Sequence, residues 1–143
     1  MIGGSYMKDS CFIDTNIFVY AALQTEKDTS KRNVALDLMR NASNIVVSTQ
    51  VLNEFYSVLL KHKISDKAIV LYINEIVKNT EVSSQKLSTL ELAWQVKSKY
   101  GFSLWDSLVL ASALQNNCQI LYSEDMQHEQ IIEDQVRIIN PFK

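Results

Sequence analysis

Four acidic residues of this 143-residue chain lack the surroundings that usually explain a surface carboxylate: Asp14, Glu54, Asp106 and Asp125. Asp14 is the one ionisable side chain in CFIDTNIFVY, a stretch that is otherwise uncharged and mostly apolar. Glu54 borders the stripe formed by Val51, Phe55, Val58 and Leu59 at helical spacing, with Gln50 and Val58 four residues away instead of a lysine. Asp106 is followed at i+3, i+4 and i+7 by Val109, Leu110 and Ala113, and Asp125 follows the short run Leu121-Tyr122-Ser123. Taken singly, each has a plain reading: Asp14 as a helix N-cap, Glu54 as a solvated helix residue, Asp106 as a capping partner of Ser103, Asp125 as a turn acid. Taken together they raise a cost, because two like charges about 4 Å apart repel by about 4 kcal/mol at an effective dielectric near 20. A divalent cation would relieve it. Oxygen donors without clustered His or Cys favour Mg²⁺ or Mn²⁺ over zinc.

The elements that must position these acids alternate along the chain. Strands are expected at Ser10 to Asp14, Asn44 to Ser48, Thr80 to Ser83, Gln119 to Tyr122 and Val136 to Ile139. Helical patterns fill Asn16 to Leu23, Ser30 to Asn41, Gln50 to His62, Asp66 to Asn79, Thr89 to Tyr100 and Trp105 to Asn116. This order predicts an α/β fold, a mostly parallel sheet of four to five strands flanked by helices. Gly101 marks a helix C-cap, and Ser103-Leu104-Trp105-Asp106 reads as an S-x-x-D capping box. In open parallel sheets ligands gather beyond the carboxyl ends of the strands, where strand order reverses. Asp14 and Asp125 end strands, and Glu54 and Asp106 lie about a turn inside helices, so all four can share one edge.

Composition limits the alternatives. With 47% hydrophobic and 21% charged residues the chain is globular, and its length suits one buried core without a structural metal or disulfides. No apolar run approaches the roughly 20 residues of a membrane span, and no signal peptide is recognisable. Cys11 and Cys118 fit no zinc motif and read as buried thiols in a reducing compartment, so a cytoplasmic location is expected. A net charge of -2 excludes a uniformly basic nucleic-acid binder, which leaves local patches at Lys31-Arg32, Arg40, Lys61-His62-Lys63 and Lys97/Lys99. Met1 to Tyr6 carries two of the three glycines ahead of a second Met7 and reads as vector-derived or disordered, with a single domain from 7 to 143. His62 suits a helix end, His128 a polar loop, and Trp105 the core.

FIDTN after a first strand, N-E-F in a helix, S-L-W-D-S-L opening a late helix and L-Y-S-E-D closing a strand, in this order, resemble the PIN domain family and within it the VapC-type toxins. The tail Ile139-Asn140-Pro141-Phe142 resembles the ending of one branch of these proteins. The resemblance implies a PIN-like fold and a metal-dependent endoribonuclease in which Asp14, Glu54, Asp106 and Asp125 form the acidic quartet. It also implies Thr15, Asn16 and Ser123 as supporting residues, and the toxin role of a toxin–antitoxin pair. Asp14, Asp106 and Asp125 are the expected ligands of Mg²⁺ or Mn²⁺, and Glu54 the residue that orients or deprotonates water. The expected partners are an RNA substrate, an antitoxin protein and a second copy of the chain. One position departs from the pattern: Glu129 stands where relatives with S-E-D-M-Q-H commonly carry Gly. A haloacid-dehalogenase-type phosphatase would need Asp at Asn16, and a receiver domain an acidic pair and a lysine that are not evident. The remaining alternative is a PIN-like module that binds RNA or protein without cutting.

Overall fold

A computed structural model describes residues 9–143. The expectations for Met1 to Tyr6 and for a domain start at Met7 lie outside these residues. Six strands form one sheet: β1 (Ser10–Ile13), β2 (Asn44–Ser48), β3 (Glu81–Ser83), β4 (Ile120–Tyr122), β5 (Ile131–Ile132) and β6 (Val136–Ile139), in the spatial order β3-β2-β1-β4-β6-β5. All neighbours are parallel except β5 and β6. β1 is central, so Cys11, Phe12 and Ile13 are buried, which explains a continuous apolar run in place of an alternating one.

The helices are α1 (Thr15–Ala22), α2 (Thr29–Asn41), α3 (Thr49–Lys61), α4 (Asp66–Asn79), α5 (Leu87–Tyr100) and α6 (Leu104–Gln115), with a short 3-10 turn at Glu26–Asp28. Their boundaries follow local chemistry. The side chains of Ser48, Ser65 and Ser103 accept hydrogen bonds from the backbone N–H of Val51, Ala68 and Asp106, capping α3, α4 and α6. Gly101, at φ 80°, ends α5 in the left-handed region. α5 starts two residues before the expected Thr89, because Thr89 Oγ1 reaches back to accept from the N–H of Lys86 at 3.0 Å. Ser107 to Leu114 of α6 are buried without interruption. That helix packs against α5 and against β2, β4 and β6.

Five of the six strands occupy the expected segments; β5 escapes a reading by periodicity because it is two residues long. Its hairpin with β6 turns through Glu133 and Asp134, both at φ 52°, and Gln135 N–H donates to Ile132 O at 3.0 Å. A turn with two positive φ values ordinarily announces itself by Asn-Gly or Asp-Gly, and Glu-Asp gives no such signal. Strand order reverses between β1 and β4, where Ile13 pairs with Tyr122. The two residues that follow in each strand's direction, Asp14 and Ser123, therefore meet at the switch point.

Candidate active site

Asp14 emerges from β1 with its N–H bonded to Tyr122 O at 3.0 Å, which locks it to the end of β4. Its side chain is only 8% exposed. One carboxylate oxygen accepts the N–H of Thr15 at 2.8 Å, so Asp14 does cap α1. The other accepts the hydroxyl of buried Ser123 at 2.9 Å. The Ser123 hydroxyl also accepts the N–H of Asp125 at 3.3 Å, orienting the turn after β4.

The two helix-borne acids come from α3 and α6. Glu54 lies on α3, where one oxygen accepts the Thr15 hydroxyl at 3.0 Å and the other the Gln50 side-chain amide at 2.9 Å. Asp106 is in the first turn of α6, a placement that the Ser103 cap fixes and that the helix dipole favours for an anion. Asp125 is exposed and accepts a hydrogen bond from the Asn16 side chain at 2.9 Å. Thr15 thus holds Asp14 and Glu54, Asn16 holds Asp125, and Ser123 holds Asp14.

Electrostatics ties the acids together. Burial pushes Asp14 up to about 6; the Thr15 N–H and Ser123 hydroxyl oppose this, and the charges of Glu54 and Asp125 add to it. Asp106 is raised, first by burial and then by Asp125 and Glu54, against the Ser103 contact. Asp125 is raised as well, by burial, Glu124 and Glu54, with Lys31 pulling the other way. Glu54 and Asp125 therefore act on both Asp14 and Asp106, and a cation nearby would relieve that repulsion. Among the described residues no three His, Cys, Asp or Glu side chains form a ready-made cage. Mg²⁺ does not need one, since it keeps several waters and is commonly held by one or two carboxylates. The donor set suits that ion or Mn²⁺ in its chemistry.

A second cluster braces the Asp125 turn. Lys31 of α2 forms an ion pair with Glu124, Tyr20 donates its hydroxyl to the other Glu124 oxygen at 2.7 Å, and Lys31 lies over the rings of Tyr20 and Phe142. Asn140 connects the tail to this turn, donating from its backbone N–H to His128 Nδ1 at 3.0 Å. His128 is structural in this arrangement, and Lys31 is engaged internally, not free for a ligand.

Trp105 overturns the expectation of a core residue: it is 62% exposed. It precedes the buried run of α6, in the first turn, where the chain still projects from the packed layer. Cys11 and Cys118 are buried free thiols whose pKa values burial pushes up to about 11 and about 12, as expected of inert packing residues. Gln50 was legible only as the residue four before Glu54, a spacing at which an amide can donate to a carboxylate. Gln85, whose side-chain amide donates to Gln50 at 2.7 Å, carried no signal of its own.

The sequence profile described as "PIN domain" matches residues 11–133. No curated protein matches the sequence significantly. Solved structures do. A toxin–antitoxin complex from Klebsiella pneumoniae is 15% identical, with a TM-score of 0.69 over 92% of this chain and 97% of its counterpart. VapC20 of Mycobacterium tuberculosis, described as a sarcin–ricin loop cleaving toxin, is 19% identical, with a TM-score of 0.67 over 80% of this chain and 89% of its own. VapBC2 from Rickettsia felis, solved on a promoter DNA fragment, is 17% identical, with a TM-score of 0.64 over 92% and 99%.

Proposed function

The chain belongs to the PIN domain family, and from that premise we propose that it is a metal-dependent endoribonuclease, the toxin of a toxin–antitoxin pair. The observation that carries this reading is that the charges of Glu54 and Asp125 bear both on Asp14, at the switch point between β1 and β4, and on Asp106, in the first turn of α6. In it, Asp14, Asp106 and Asp125 are the residues that would hold Mg²⁺ or Mn²⁺. When bound, such an ion lowers the pKa of its water and offsets charge on the phosphate oxygens. Glu54, with each oxygen already steered by a donor, has lone pairs left to orient the attacking water and take its proton. Ser123 and Thr15 keep the Asp14 carboxylate from rotating, and Asn16 does the same for Asp125.

The toxin role draws support from the likeness to VapC20 and to the two toxin–antitoxin complexes, and it brings an antitoxin as partner. A homodimer is part of the same reading, supported by Leu87 and Trp94, both more than half exposed and seven residues apart on one face of α5. No helix among the described residues is long and apolar enough to cross a membrane; we place the protein in the cytoplasm with its RNA substrate.

Expression of wild type and Asp106→Asn in a bacterial host, with mapping of new RNA ends, tests the proposal. Wild type should arrest growth and generate Mg²⁺- or Mn²⁺-dependent ends that the variant does not. The absence of a three-acid cage favours one rival, a PIN-like module that only binds RNA or protein. RNA binding by both proteins without any cleavage would establish that rival. An adjacent reading frame whose product restores growth would identify the antitoxin.

A further inference from the structure

Gln50 occupies the first turn of α3 and is 9% exposed, an unusual burial for a side chain with two N–H donors and one acceptor. Every one of those groups is engaged. Its amide nitrogen donates to Glu54 at 2.9 Å and to the backbone carbonyl of Trp105 at 3.2 Å, while its oxygen accepts from the Gln85 amide at 2.7 Å. The opposite amide orientation would set oxygen against two acceptors and nitrogen against a donor, so the network selects this one. Gln85 is anchored in turn, donating to the Ser112 hydroxyl of α6 at 3.2 Å.

The Trp105 carbonyl belongs to the peptide bond that leads into Asp106. One carboxamide therefore grips the Glu54 carboxylate on α3 and the backbone beside Asp106 on α6. The other Glu54 oxygen is held by Thr15, whose N–H is bound by Asp14. A continuous chain of contacts runs from Asp14 through Thr15, Glu54 and Gln50 to the first turn of α6. We propose that Gln50 is a positioning residue for the nuclease site, setting Glu54 and Asp106 relative to each other, with Gln85 as the brace that keeps its carboxamide from turning. This inference rests on the nuclease reading. Its physical basis is that groups orienting a reacting carboxylate matter to the transition state more than to substrate capture.

The test uses the full chain, a single-stranded RNA that wild type cuts, and saturating Mn²⁺, comparing wild type, Gln50→Met, Gln85→Leu and the double variant. Gln50→Met conserves length and apolar volume but removes every hydrogen bond. It should lower kcat roughly 10- to 100-fold and leave KM within about twofold. Gln85→Leu should lower kcat less, and the double variant should be no slower than Gln50→Met, because the brace acts only through the braced group. A wild-type kcat in Gln50→Met, a loss residing in KM, or additive losses in the double variant would overturn the proposal. Should Gln50→Met fail to melt cooperatively, half-buried Gln85 decides, and an unchanged kcat in Gln85→Leu is then the overturning result. Wild type inactive on every RNA removes the nuclease reading and this proposal with it; active wild type with equally active Gln50→Met removes this proposal alone.

Discussion

Asp14 combines two tasks that pull against each other, capping α1 and remaining available as an anion in a place where water is scarce. Its carboxyl is raised from 3.8 to about 6. The folded state thus binds this proton more tightly than the unfolded chain does, and the sign follows directly: stability of the metal-free protein falls as pH rises from about 4 to about 6, then levels off. The fall should amount to as much as about 3 kcal/mol. Asp14→Asn can still accept from the Thr15 N–H and donate to Ser123, so we expect it to fold. In urea titrations at pH 4 and pH 7 the variant should decline less than wild type, keeping only the part due to Asp106 and Asp125, and be about 1 to 3 kcal/mol more stable than wild type at pH 7. It should also be inactive on RNA. A variant that is less stable than wild type at pH 7 would contradict the account of Asp14 as a destabilised anion. A divalent cation should act in the opposite direction, raising the melting temperature of wild type at pH 7 and leaving that of Asp14→Asn nearly unchanged, as thermal denaturation with and without Mn²⁺ can show. These roles were partly legible in CFIDTNIFVY, where an isolated carboxylate among apolar residues stood out. The donors that steer the acids were less so, since Gln50 and Gln85 are ordinary polar residues until the fold brings them against the first turn of α6 and Ser112.

Among the elements, those with strong punctuation were readable to within a residue or two: β2, β6 and α4 occupy the expected segments, and Ser103 and Gly101 do what their positions suggest. The misreadings occur where conformation and residue type disagree. β5 hides behind a Glu133-Asp134 turn, and Trp105 leads a buried helix without being buried itself. Glu129, the departure from the expected Gly, is a further case: its φ of 70° is one that glycine adopts freely and glutamate does not. Its N–H still donates to Ile138 O at 2.7 Å, so the loop keeps the conformation despite the side chain. Relieving that strain should outweigh the extra entropy of an unfolded glycine, and Glu129→Gly should gain up to about 1 kcal/mol in chemical denaturation. A loss of stability would mean that the Glu129 side chain contributes more than its backbone costs.

At the scale of the molecule, two large apolar residues on the surface of α5 find no cover in the monomer. Leu87 is 67% exposed and Trp94 52%. Light scattering should return about twice the 16.3 kDa chain mass for wild type and the single mass for Trp94→Glu, with the far-ultraviolet dichroism of the two unchanged. A monomeric wild type would remove the homodimer from the proposed function. No sequence pattern indicated which face would be left open, because α5 has apolar residues toward both α6 and solvent.

The topology also determines when the site can exist. Asp14 is made early, but the edge it stands on is completed by β4, and the Ser123 N–H is held in turn by Ile139 O of β6 at 3.0 Å. A nascent chain therefore cannot complete this edge until β6 has been made and has emerged from the ribosome. On the nuclease reading proposed above, the ribosome that makes each copy meets no assembled site before that point. On the same reading, truncation before β6 removes the carbonyl that holds Ser123 and should yield a fragment without activity.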